Sequence, residues 1–551
     1  MTEGQNDALT YINNCVSKNL HKVVVLDGVT GSGKTEVYLR AISNVLAKGK
    51  NAIVLVPEIS LTPQTVSRFY NRFGNNIAVM HSKISASERA NQINKIRSGN
   101  VRLVIGARSA IFCPLENIGL IVIDEEHENS YKQDKTPRYK TVDCAEYLAK
   151  QNDAVLVLGS ATPSLESIYN CQTKDDWQLI KLPQRTNNAQ MPKIDIVDMG
   201  LEFKNGSKNL FSKQLENSIC QHLKAGHKVL LFHNRRGFAN YMFCRSCGYT
   251  PKCPNCSTTL TYHQRLIVDG RPKQMLFCHH CGHLEHVPIT CPDCNSPYIA
   301  KYGAGTQSVE EQLEALIADN EITDARVVRM DADTTNQALG HQKCLEEFAK
   351  PGPAILLGTQ MIAKGLDFDD VTLVGVVLID TNLSLPDFRC AERTFDLILQ
   401  VAGRAGRANL PGKVIVQTYY PLDTSIVCAA NYEKDNFIAQ EFAKRKLMNY
   451  PPYSSLVNFI ISGTKEENVV EYSNQVQDCL ESYIQKNSLS EWDLLPSAPC
   501  VLSKIRNQFR YHILLKSNAE NTSAHIDKAL KNLKIKSNVK LNIDVDPVSL
   551  F

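Results

Sequence analysis

The fold of this chain is decided by one stretch of sequence, Gly28-Val29-Thr30-Gly31-Ser32-Gly33-Lys34-Thr35. The β-branched run 23–26 precedes it and a helix-favouring run, 36–41, follows it, which is the strand–GxxxxGK[ST]–helix context of a phosphate-binding loop. Glycines let such a loop curl until its N–H groups face a phosphate at a helix N-terminus. Lys34 would neutralise the β- and γ-phosphates, and the Thr35 hydroxyl would ligate Mg²⁺. We therefore predict a nucleotide-binding α/β domain, with nucleotide ligands at Gly28, Gly31, Ser32, Gly33, Lys34 and Thr35.

Length and composition limit the number of domains, the cellular location and the kinds of ligand that the chain can have. Its 551 residues are too many for one hydrophobic core and suggest three or four domains. The N-terminus is polar rather than a signal peptide, and no apolar run reaches the roughly 18 residues of a membrane span, so we expect a cytoplasmic protein. The net charge of +4 is too small to indicate nucleic acid by itself. Any such binding must come from local patches that contact phosphates.

Short apolar runs alternate with helical patterns through residues 1–185. Runs of this kind predict a parallel sheet covered on both faces by helices, and in such sheets the chemistry lies at the carboxyl ends of the strands. After the run 120–123 comes Asp124-Glu125-Glu126-His127. Asp124 is placed to hold Mg²⁺ beside the phosphate loop, and Glu125 is the candidate base for the attacking water.

Small polar residues follow the other strands in this region. The loops 57–64 and 106–110 carry hydroxyl groups and Arg108, which suit contact with a phosphate backbone regardless of sequence. Residues 159–163 read Gly-Ser-Ala-Thr-Pro, whose Ser160 and Thr162 are placed to couple the ATP site to bound DNA.

These blocks occur in an order that matches a known family. GVTGSGKTEVY, VPEISLTPQ, GARSAIFCPL, IDEEH and LGSATPSLES resemble motifs I, Ia, Ib, II and III of superfamily 2 helicases. They resemble most closely those of the primosomal protein N′ (PriA) family of replication-restart DNA helicases. The resemblance implies that Gln5 reads the adenine base, and that residues 131–140 form an aromatic-rich loop linking DNA contact to ATP hydrolysis. Two tyrosines among four cations in that loop also suit stacking on single-stranded bases.

A second α/β unit follows a polar connection that begins near Arg185. Its predicted strands include 228–232, 354–357 and 374–379, and it ends with Gln400-Val401-Ala402-Gly403-Arg404-Ala405-Gly406-Arg407. Because arginine offers a permanently charged planar fork for phosphate oxygens, we expect Arg404 and Arg407 to reach the γ-phosphate across the cleft between two lobes. Gln400 is assigned to the same nucleotide site. Residues 358–361 and 364–368 resemble motif V, with Leu366 in place of the expected histidine.

Eight of the 18 cysteines lie in one insertion in this second unit. They form four CxxC knuckles and are Cys244, Cys247, Cys253, Cys256, Cys278, Cys281, Cys291 and Cys294. Each knuckle can direct two thiolates at a tetrahedral metal, so the eight predict two structural Zn²⁺ ions. Structural zinc supplies roughly 10–16 kcal/mol to a segment with few apolar residues. The resemblance implies that the second knuckle pairs with the third and the first with the fourth, leaving His279, His280, His283 and His286 as bystanders.

The C-terminal part, 431–551, begins near Tyr450-Pro451-Pro452. Residues 466–485 predict a helix, and residues 503–516 alternate cationic and aromatic residues into an apolar strand that resembles the family's DNA-contacting C-terminal domain. The family's N-terminal domain for the leading-strand 3′ end and its winged helix do not fit before Val23. The chain is therefore expected to be either a piece of a longer protein or a naturally short form, and 3′-end recognition is not carried over.

The sequence as a whole predicts two RecA-like helicase lobes, a double-zinc insertion and an α+β C-terminal domain. The expected ranges are 1–185 for lobe 1, 186–239 for the connection and the start of lobe 2, 240–301 for the zinc insertion, 302–430 for lobe 2 and 431–551 for the DNA-binding domain. The resemblance implies a 3′→5′ DNA helicase using ATP and Mg²⁺. It would bind single-stranded and forked DNA, single-stranded-DNA-binding protein and other primosome proteins.

Two other functions fit parts of the pattern. One is a primosome-loading scaffold with DNA-dependent ATPase activity but little processive unwinding. The other is a zinc-dependent RNA-binding module with a decayed ATPase, which the intact Lys34, Asp124, Glu125, Arg404 and Arg407 disfavour.

Overall fold

The structure is a computed structural model that describes residues 1–550 apart from a set of short gaps. These are 59–60, 62, 75, 83, 187–189, 208, 234–241, 255–258, 269–270, 279–281, 302–305, 323, 331–339, 360–361, 363–367, 369, 407–410, 519–520, 532, 534–535 and 537. The chain divides into two compact units. The first contains Met1–Pro192, Met361–Thr372 and Leu399–Lys413, and the second contains Lys193–Gln360, Leu373–Ile398 and Val414–Phe551.

The first unit is built on a seven-stranded parallel sheet. Its strands are β1 (Lys22–Gly28), β2 (Asn51–Leu55), β3 (Ile77–Met80), β4 (Leu103–Gly106), β5 (Ile118–Asp124), β6 (Val155–Ser160) and β7 (Trp177–Leu182). Their order is β3-β4-β2-β5-β6-β1-β7. In the register, Asp27 pairs with Ser160 and Asp124 with Gly159. The phosphate loop, the acidic segment and the Ser160 segment therefore begin at one edge of the sheet.

Helices cover both faces of this sheet. They are Glu3–Ser17, Lys34–Ala47, Pro63–Phe73, Ala86–Arg97, Thr141–Gln151 and Leu165–Thr173, with short 3₁₀ helices at Arg108–Phe112 and Asn129–Tyr131. Successive residues of β1 alternate between two cores, since Val24 and Leu26 pack in one and Val23 and Val25 in the other. A strand buried on both faces needs apolar side chains at every position, which explains the unbroken apolar runs in the sequence.

The next strands along the chain are β8 (Lys193–Asp198), β9 (Lys228–His233), β10 (Met242–Cys244), β11 (Thr261–Val268), β12 (Arg271–Phe277), β13 (Leu284–His286), β14 (Ile299–Lys301), β15 (Arg326–Met330), β16 (Ala354–Gly358), β17 (Val371–Val377) and β18 (Lys413–Thr418). Six of them form a second sheet, in the order β15-β16-β9-β17-β18-β8. Strands β10 to β14 form two small antiparallel sheets that carry the cysteine-rich insertion. The helices of this region are Met199–Lys204, Lys213–Lys224, Thr306–Asp319, Gly340–Ala349, Asp380–Leu383 and Cys390–Ala402.

The C-terminal region forms an antiparallel sheet of five strands. They are β19 (Ser455–Gly463), β20 (Trp492–Leu494), β21 (Ala498–Ile505), β22 (Gln508–Ser517) and β23 (Val539–Val545). The helices are Thr424–Ala430, Lys434–Leu447, Glu466–Lys486 and Thr522–Leu530. One face of the sheet packs on the helix Glu466–Lys486 through Val469, Tyr472 and Val476.

The single strand expected over residues 503–516 is wrong in detail, because the structure makes a hairpin of β21 and β22. Its turn is Arg506-Asn507, and both residues have positive φ, 49° and 61°. Two consecutive residues with positive φ are what a two-residue hairpin turn requires. Beside this turn, the Lys504 ammonium lies 4.6 Å from the centre of the Phe509 ring.

The predicted fold class is confirmed. Two parallel-sheet lobes are present, with the cysteine-rich insertion in the second lobe and an α+β domain after it. The apolar runs predicted as strands correspond to β1, β2, β4, β5, β6, β9, β16 and β17, whereas β3 and β7 were not predicted. Within the described ranges, no helix is both long and apolar enough to cross a bilayer.

Candidate functional site

The phosphate loop has the curled backbone that its glycines predict. Gly31 and Gly33 have φ of 85° and 78°, in the left-handed region that favours glycine. The helix then begins at Lys34, so its first-turn N–H groups, which have no carbonyl one turn earlier, lie at the end of the loop. Lys34 Nζ donates to Gly28 O at 2.7 Å and so holds its charge over the curve of the loop. This arrangement suits a polyphosphate.

Gln5 supports the phosphate loop from the first helix. Its side chain is 2% exposed, and its Nε2 donates to Ser32 O at 2.8 Å. Its Oε1 accepts from Thr2 N at 2.9 Å, which completes a capping box. A Cβ on Gly33 would lie 2.3 Å from Gln5 Nε2, so position 33 must be glycine for this contact. Both ends of the predicted adenine-reading side chain are bonded to protein in this conformation.

Asp124 and Glu125 lie where β5 ends. Tyr38 Oη donates to Asp124 Oδ1 at 3.1 Å, and Tyr131 Oη donates to Asp124 O at 2.7 Å. Burial, reinforced by the Glu125 carboxylate, raises the pKa of Asp124 to about 6, although the Lys34 ammonium acts in the opposite direction. Glu125 has φ of 49°, a strained conformation for a non-glycine residue that turns its side chain out of the strand direction. The Asp124 carboxyl is thus a buried group whose ionised form a divalent cation would stabilise.

His127 is at the centre of a polar network that the sequence analysis did not assign. Its Nδ1 is 2.7 Å from Ser160 Oγ, and its Nε2 is 2.8 Å from Gln400 Nε2. Gln400 Nε2 also donates to Thr162 Oγ1 at 3.2 Å. An imidazole that carries its proton on Nδ1 satisfies the first two contacts, donating to Ser160 and accepting from Gln400. The side chain of Gln400, predicted as a nucleotide ligand, therefore contacts the acidic and Ser160 segments.

Glu126, the carboxylate between the predicted catalytic residues and His127, has a supporting role. It is buried, and burial raises its pKa. Its Oε1 accepts from Ser164 N at 2.6 Å, and its Oε2 accepts from the hydroxyls of Ser164 and Ser167 at 3.2 Å each. These bonds cap the helix Leu165–Thr173 and fasten it to the acidic segment.

The turn that carries Arg404 lies directly against the phosphate loop. A Cβ on Gly403 would be 2.5 Å from Thr30 Oγ1, so only glycine permits this approach. Arg404 is half-buried, and its N–H bonds to Val401 O at 3.0 Å. Arg407 lies outside the described residues, as do Gln360, Met361 and residues 364–367 of the predicted motif V.

Two of the residues predicted to contact DNA, Arg108 and Tyr131, have side chains that contact other parts of the protein instead. Arg108 Nη1 donates to Ser130 O at 2.7 Å and to Lys132 O, and its Nη2 donates to the Gln133 side chain. Arg108 therefore holds the aromatic-rich loop instead of presenting a bare fork to phosphate. Tyr131 is 3% exposed and cannot stack on a base, which corrects the expectation that both tyrosines of the loop do so.

Phe112 is the exposed aromatic of this surface, and the sequence analysis missed it. The side chain is 59% exposed. Its ring meets that of Tyr139 edge to face, with centroids 4.9 Å apart. It lies two residues after the segment 106–110 predicted to contact DNA, and this proximity is the signal that could have identified it.

The first and fourth cysteine knuckles come together. The Sγ atoms of Cys244, Cys247, Cys291 and Cys294 lie within 4.8 Å of one another. The Cys244–Cys294 and Cys247–Cys291 sulfur pairs are each 3.6 Å apart. Four sulfurs at about 2.3 Å from a tetrahedral zinc would be separated by about 3.8 Å, so this set fits the metal and leaves no open position.

The other two knuckles are described only in part, because Cys256 and Cys281 lie outside the described residues. Cys253 and Cys278 are both buried in one small apolar cluster. The N–H of Gly282 bonds to Cys278 O at 3.0 Å, and Gly282 has φ of 77°. The first knuckle has the same turn, in which Gly248 bonds to Cys244 O at 2.8 Å with φ of 79°. Cys278 and Gly282 thus make the same backbone hydrogen bond as Cys244 and Gly248, whose knuckle belongs to the four-sulfur site.

Comparisons with known proteins place this site in a family. Residues 2–171 match the DEAD/DEAH box helicase family model, 302–409 the helicase conserved C-terminal domain, and 446–548 the primosomal protein N C-terminal domain. The replication restart protein PriA of Bacillus subtilis (strain 168) is 44% identical over 555 residues, covering 100% of this chain and 67% of that protein. The PriA proteins of Synechocystis and Chlamydia trachomatis serovar D are 41% and 40% identical.

The match to Synechocystis PriA covers 96% of this chain and 62% of the relative, and that to Chlamydia PriA covers 100% and 72%. The chain thus spans about two thirds of the length of these relatives. The helicase domains imply the use of ATP and Mg²⁺. The chain belongs to the PriA family of replication restart proteins, and its domains are those of a DNA helicase and ATPase.

Proposed function

We propose that this chain is the motor of an ATP-driven 3′→5′ DNA helicase that binds stalled or abandoned replication forks and initiates primosome assembly. The observation that carries the proposal is the convergence of three separate segments on one loop. Asp124, Ser160 and the stretch from Gln400 to the Gly403 turn all lie around the strand end that feeds Gly28–Thr35. The name of the relatives, replication restart protein, supports the fork as the place of action.

In the proposed reaction, each residue has a distinct role at the triphosphate. The loop amides and Lys34 hold the β- and γ-phosphates, while Thr35 and Asp124 hold Mg²⁺. Glu125, the residue directly after β5, accepts a proton from the attacking water. Arg404 and Arg407 neutralise the charge that develops on the γ-phosphate. Gln5 fixes the loop and completes the nucleotide site.

The His127 network is the proposed link between hydrolysis and DNA. It joins the acidic segment to Ser160 and Thr162 on one side and to Gln400 on the other. Loss of the γ-phosphate beside Asp124 and Glu125 would change the electrostatic field at His127, two residues further along the chain, and would therefore alter the hydrogen bonds of His127. Single-stranded DNA would contact the neighbouring surface through Phe112 and Tyr139, because exposed aromatics stack on bases of any sequence.

The cysteine insertion is proposed to hold two structural Zn²⁺ ions. Cys244, Cys247, Cys291 and Cys294 support one site by their geometry, and Cys253, Cys256, Cys278 and Cys281 are the proposed ligands of the second. The resulting rigid module would separate strands or hold primosome proteins and single-stranded-DNA-binding protein at the fork. The proposed division of the chain is 1–185, 186–239, 240–301, 302–430 and 431–551, with a cytoplasmic location.

The proposal is tested by measuring ATP turnover and fork unwinding for the intact chain and for the variants Lys34→Ala and Cys291→Ser. We expect Lys34→Ala to lose both activities, and Cys291→Ser to lose one of the two zinc ions and unwinding while DNA-dependent ATP turnover persists. Cys171→Ser, outside the cysteine insertion, is the matched control and should keep all three. Unwinding by Lys34→Ala would overturn the motor. If the intact chain hydrolyses ATP on DNA without unwinding forks of either polarity, the primosome-loading scaffold is the better description.

A further inference from the structure

Arg185 is a buried cation for which the family motifs provide no role. It lies just after β7, in the segment that the sequence suggested was only a connection, and it is 5% exposed. Its Nη1 donates to Gly406 O at 2.9 Å and its Nη2 donates to Gly403 O at 3.5 Å. The guanidinium is therefore shared between both ends of the turn that contains Arg404.

Arg185 bonds two backbone carbonyls, Gly403 O and Gly406 O, that follow the end of a helix, where carbonyl groups need hydrogen-bond donors from elsewhere. The helix Cys390–Ala402 ends just before Gly403, and the turn after it has no following helical N–H groups to bond its carbonyls. Buried carbonyls are nearly always paired. A cation near a helix C-terminus is also favoured by the helix dipole. A planar fork with several N–H donors can bond both carbonyls at once, which an ammonium cannot do with the same geometry.

The other side of Arg185 contacts the phosphate loop. A Cβ on Gly31 would lie 3.6 Å from Arg185 Cγ, so the aliphatic stem covers that glycine in ordinary van der Waals contact. The next residue, Thr186, donates from its N–H to Gly31 O at 3.0 Å, and its hydroxyl to the same oxygen at 3.3 Å. Three residues before Arg185, Leu182 O accepts a hydrogen bond from Val29 N at 3.2 Å. Residues 182–186 thus follow the phosphate loop closely and place the guanidinium beside it.

We propose that Arg185 is a positioning residue that holds the Gly403–Gly406 turn, and with it the Arg404 guanidinium, at the phosphate loop. The inference rests on the proposed role of Arg404 at the γ-phosphate. Gly403 already touches Thr30, which sets how close the turn can come, and Arg185 bonds the turn at both ends so that it stays there. Arg185 itself makes no contact with substrate in this proposal. Its effect is on the rate of hydrolysis through the placement of Arg404.

The test compares Arg185→Met, Arg185→Lys, Arg404→Ala and the double variant Arg185→Met/Arg404→Ala. Nucleotide affinity is measured with a fluorescent ATP analogue, and kcat is measured with saturating single-stranded DNA. We expect Arg185→Met to lower kcat at least about tenfold while nucleotide affinity stays within about threefold, because binding uses the loop and turnover uses the turn. Arg185→Lys should fall between Arg185→Met and the unchanged chain, since it keeps the charge but loses the fork.

The double variant separates positioning from general support of the fold. If Arg185 acts through Arg404, the double variant is no slower than Arg404→Ala alone. Unchanged kcat in Arg185→Met, or losses that multiply in the double variant, would overturn the proposal. Should Arg185→Met unfold, Arg185→Lys and its double with Arg404→Ala decide in the same way. If Arg404→Ala turns over normally, the proposed role of Arg404 is wrong and this inference falls with it, whereas an inactive Arg404→Ala beside a fully active Arg185→Met rejects the inference alone.

Discussion

Gln400 and His127 are 273 residues apart in the chain, yet the Nε2 of one lies 2.8 Å from the Nε2 of the other. Gln400 lies in the sequence between β17 and β18 of the second sheet, and His127 follows the strand β5 of the first. Since Gln400 Nε2 also donates to Thr162 Oγ1, one amide group bonds two segments that both start at the edge of the first sheet. The pair therefore connects the late helicase motif directly to the acidic segment 124–127 by a hydrogen bond.

Replacing Gln400 tests whether that connection couples DNA to ATP. We expect Gln400→Ala to reduce the stimulation of ATP turnover by single-stranded DNA about tenfold, since loss of a bond within a catalytic network costs of order 1.4 kcal/mol. Turnover without DNA should change much less. Gln440→Ala is the control, because Gln440 is on an exposed helix face, where its side chain donates to Asn436 Oδ1 at 3.0 Å. Equal DNA stimulation in the two variants would argue against a coupling role.

Asp124 should make ATP turnover sensitive to mild acid. Its pKa is raised to about 6 by burial and by Glu125, so below that pH the carboxyl carries a proton that Mg²⁺ must displace. The Mg²⁺ concentration for half-maximal turnover should therefore rise as pH falls through about 6. Asp124→Asn should lower turnover about 100-fold or more and remove this pH dependence. Asp153→Asn, on an exposed turn, should behave like the unchanged chain, and a pH-independent Mg²⁺ requirement in the unchanged chain would contradict the assignment.

The buried carboxyl group of Asp380 should make the protein less stable as the pH rises. It is 5% exposed, its Oδ1 accepts from the Thr418 hydroxyl at 2.7 Å and from Tyr419 N at 2.9 Å, and its Oδ2 has no hydrogen-bond partner in the described part of the chain. Burial raises its pKa to about 6 from 3.8. Because the folded form binds the proton more tightly than the unfolded form, stability falls as pH rises through this window, and the loss is complete above about 6.

The corresponding measurement is the melting temperature of Asp380→Asn and of the unchanged chain at pH 5 and pH 8. The raised pKa makes the unchanged chain about 1 kcal/mol less stable at pH 8 than at pH 5 from this residue alone. Asp380→Asn has no such titration, so its melting temperature relative to the unchanged chain should be higher at pH 8 than at pH 5. A difference of the opposite sign would show that the buried carboxylate is stabilised by partners other than Thr418 and Tyr419.

The zinc content of cysteine variants tests the knuckle pairing. We expect two zinc ions in the intact chain and one in Cys294→Ser, because a four-thiolate site that loses one ligand binds the metal far more weakly. Cys144→Ser lies on a helix of the first unit and should keep both ions. Elemental analysis after dialysis against a mild chelator gives the count. Full retention of zinc by Cys294→Ser would exclude the four-sulfur site formed by the first and fourth knuckles.

Arg445 should be among the more costly residues to replace in the second unit. It is 2% exposed, and its Nη2 lies 2.6 Å from Glu392 Oε2 and its Nε 3.3 Å from Glu441 Oε1. Arg445→Met would remove the buried cation that the carboxylates of Glu392 and Glu441 share, which costs about 3–5 kcal/mol. The exposed pair of Arg40 and Glu36 provides the contrast, since Arg40→Met should cost less than about 1 kcal/mol. Chemical denaturation of both variants would measure the difference, and similar losses would contradict the argument.

Much of the fold could be predicted because its signals are local. A strand that is buried on both faces must be apolar at successive positions, as in β1, and a phosphate loop must have glycine where φ is positive, as at Gly31 and Gly33. The hairpin turn Arg506-Asn507 was missed because arginine rarely adopts positive φ, so the residue type favoured one continuous strand. Short strands such as Ile77–Met80 were missed because four residues show too little periodicity.

By itself, the sequence determined which groups can perform chemistry: the loop that binds phosphate, the carboxylates at the end of β5, the paired cysteines and the arginines of the late motif. Only the tertiary structure decided which of these groups meet. It placed Tyr131 against Asp124 O instead of in solvent, joined Gln400 to His127, and set Arg185 between Gly31 and the Gly403–Gly406 turn. The physical reason is that residue type and spacing encode local conformation and reactivity, whereas contacts between distant segments depend on packing and on the pairing of buried polar groups across the whole fold.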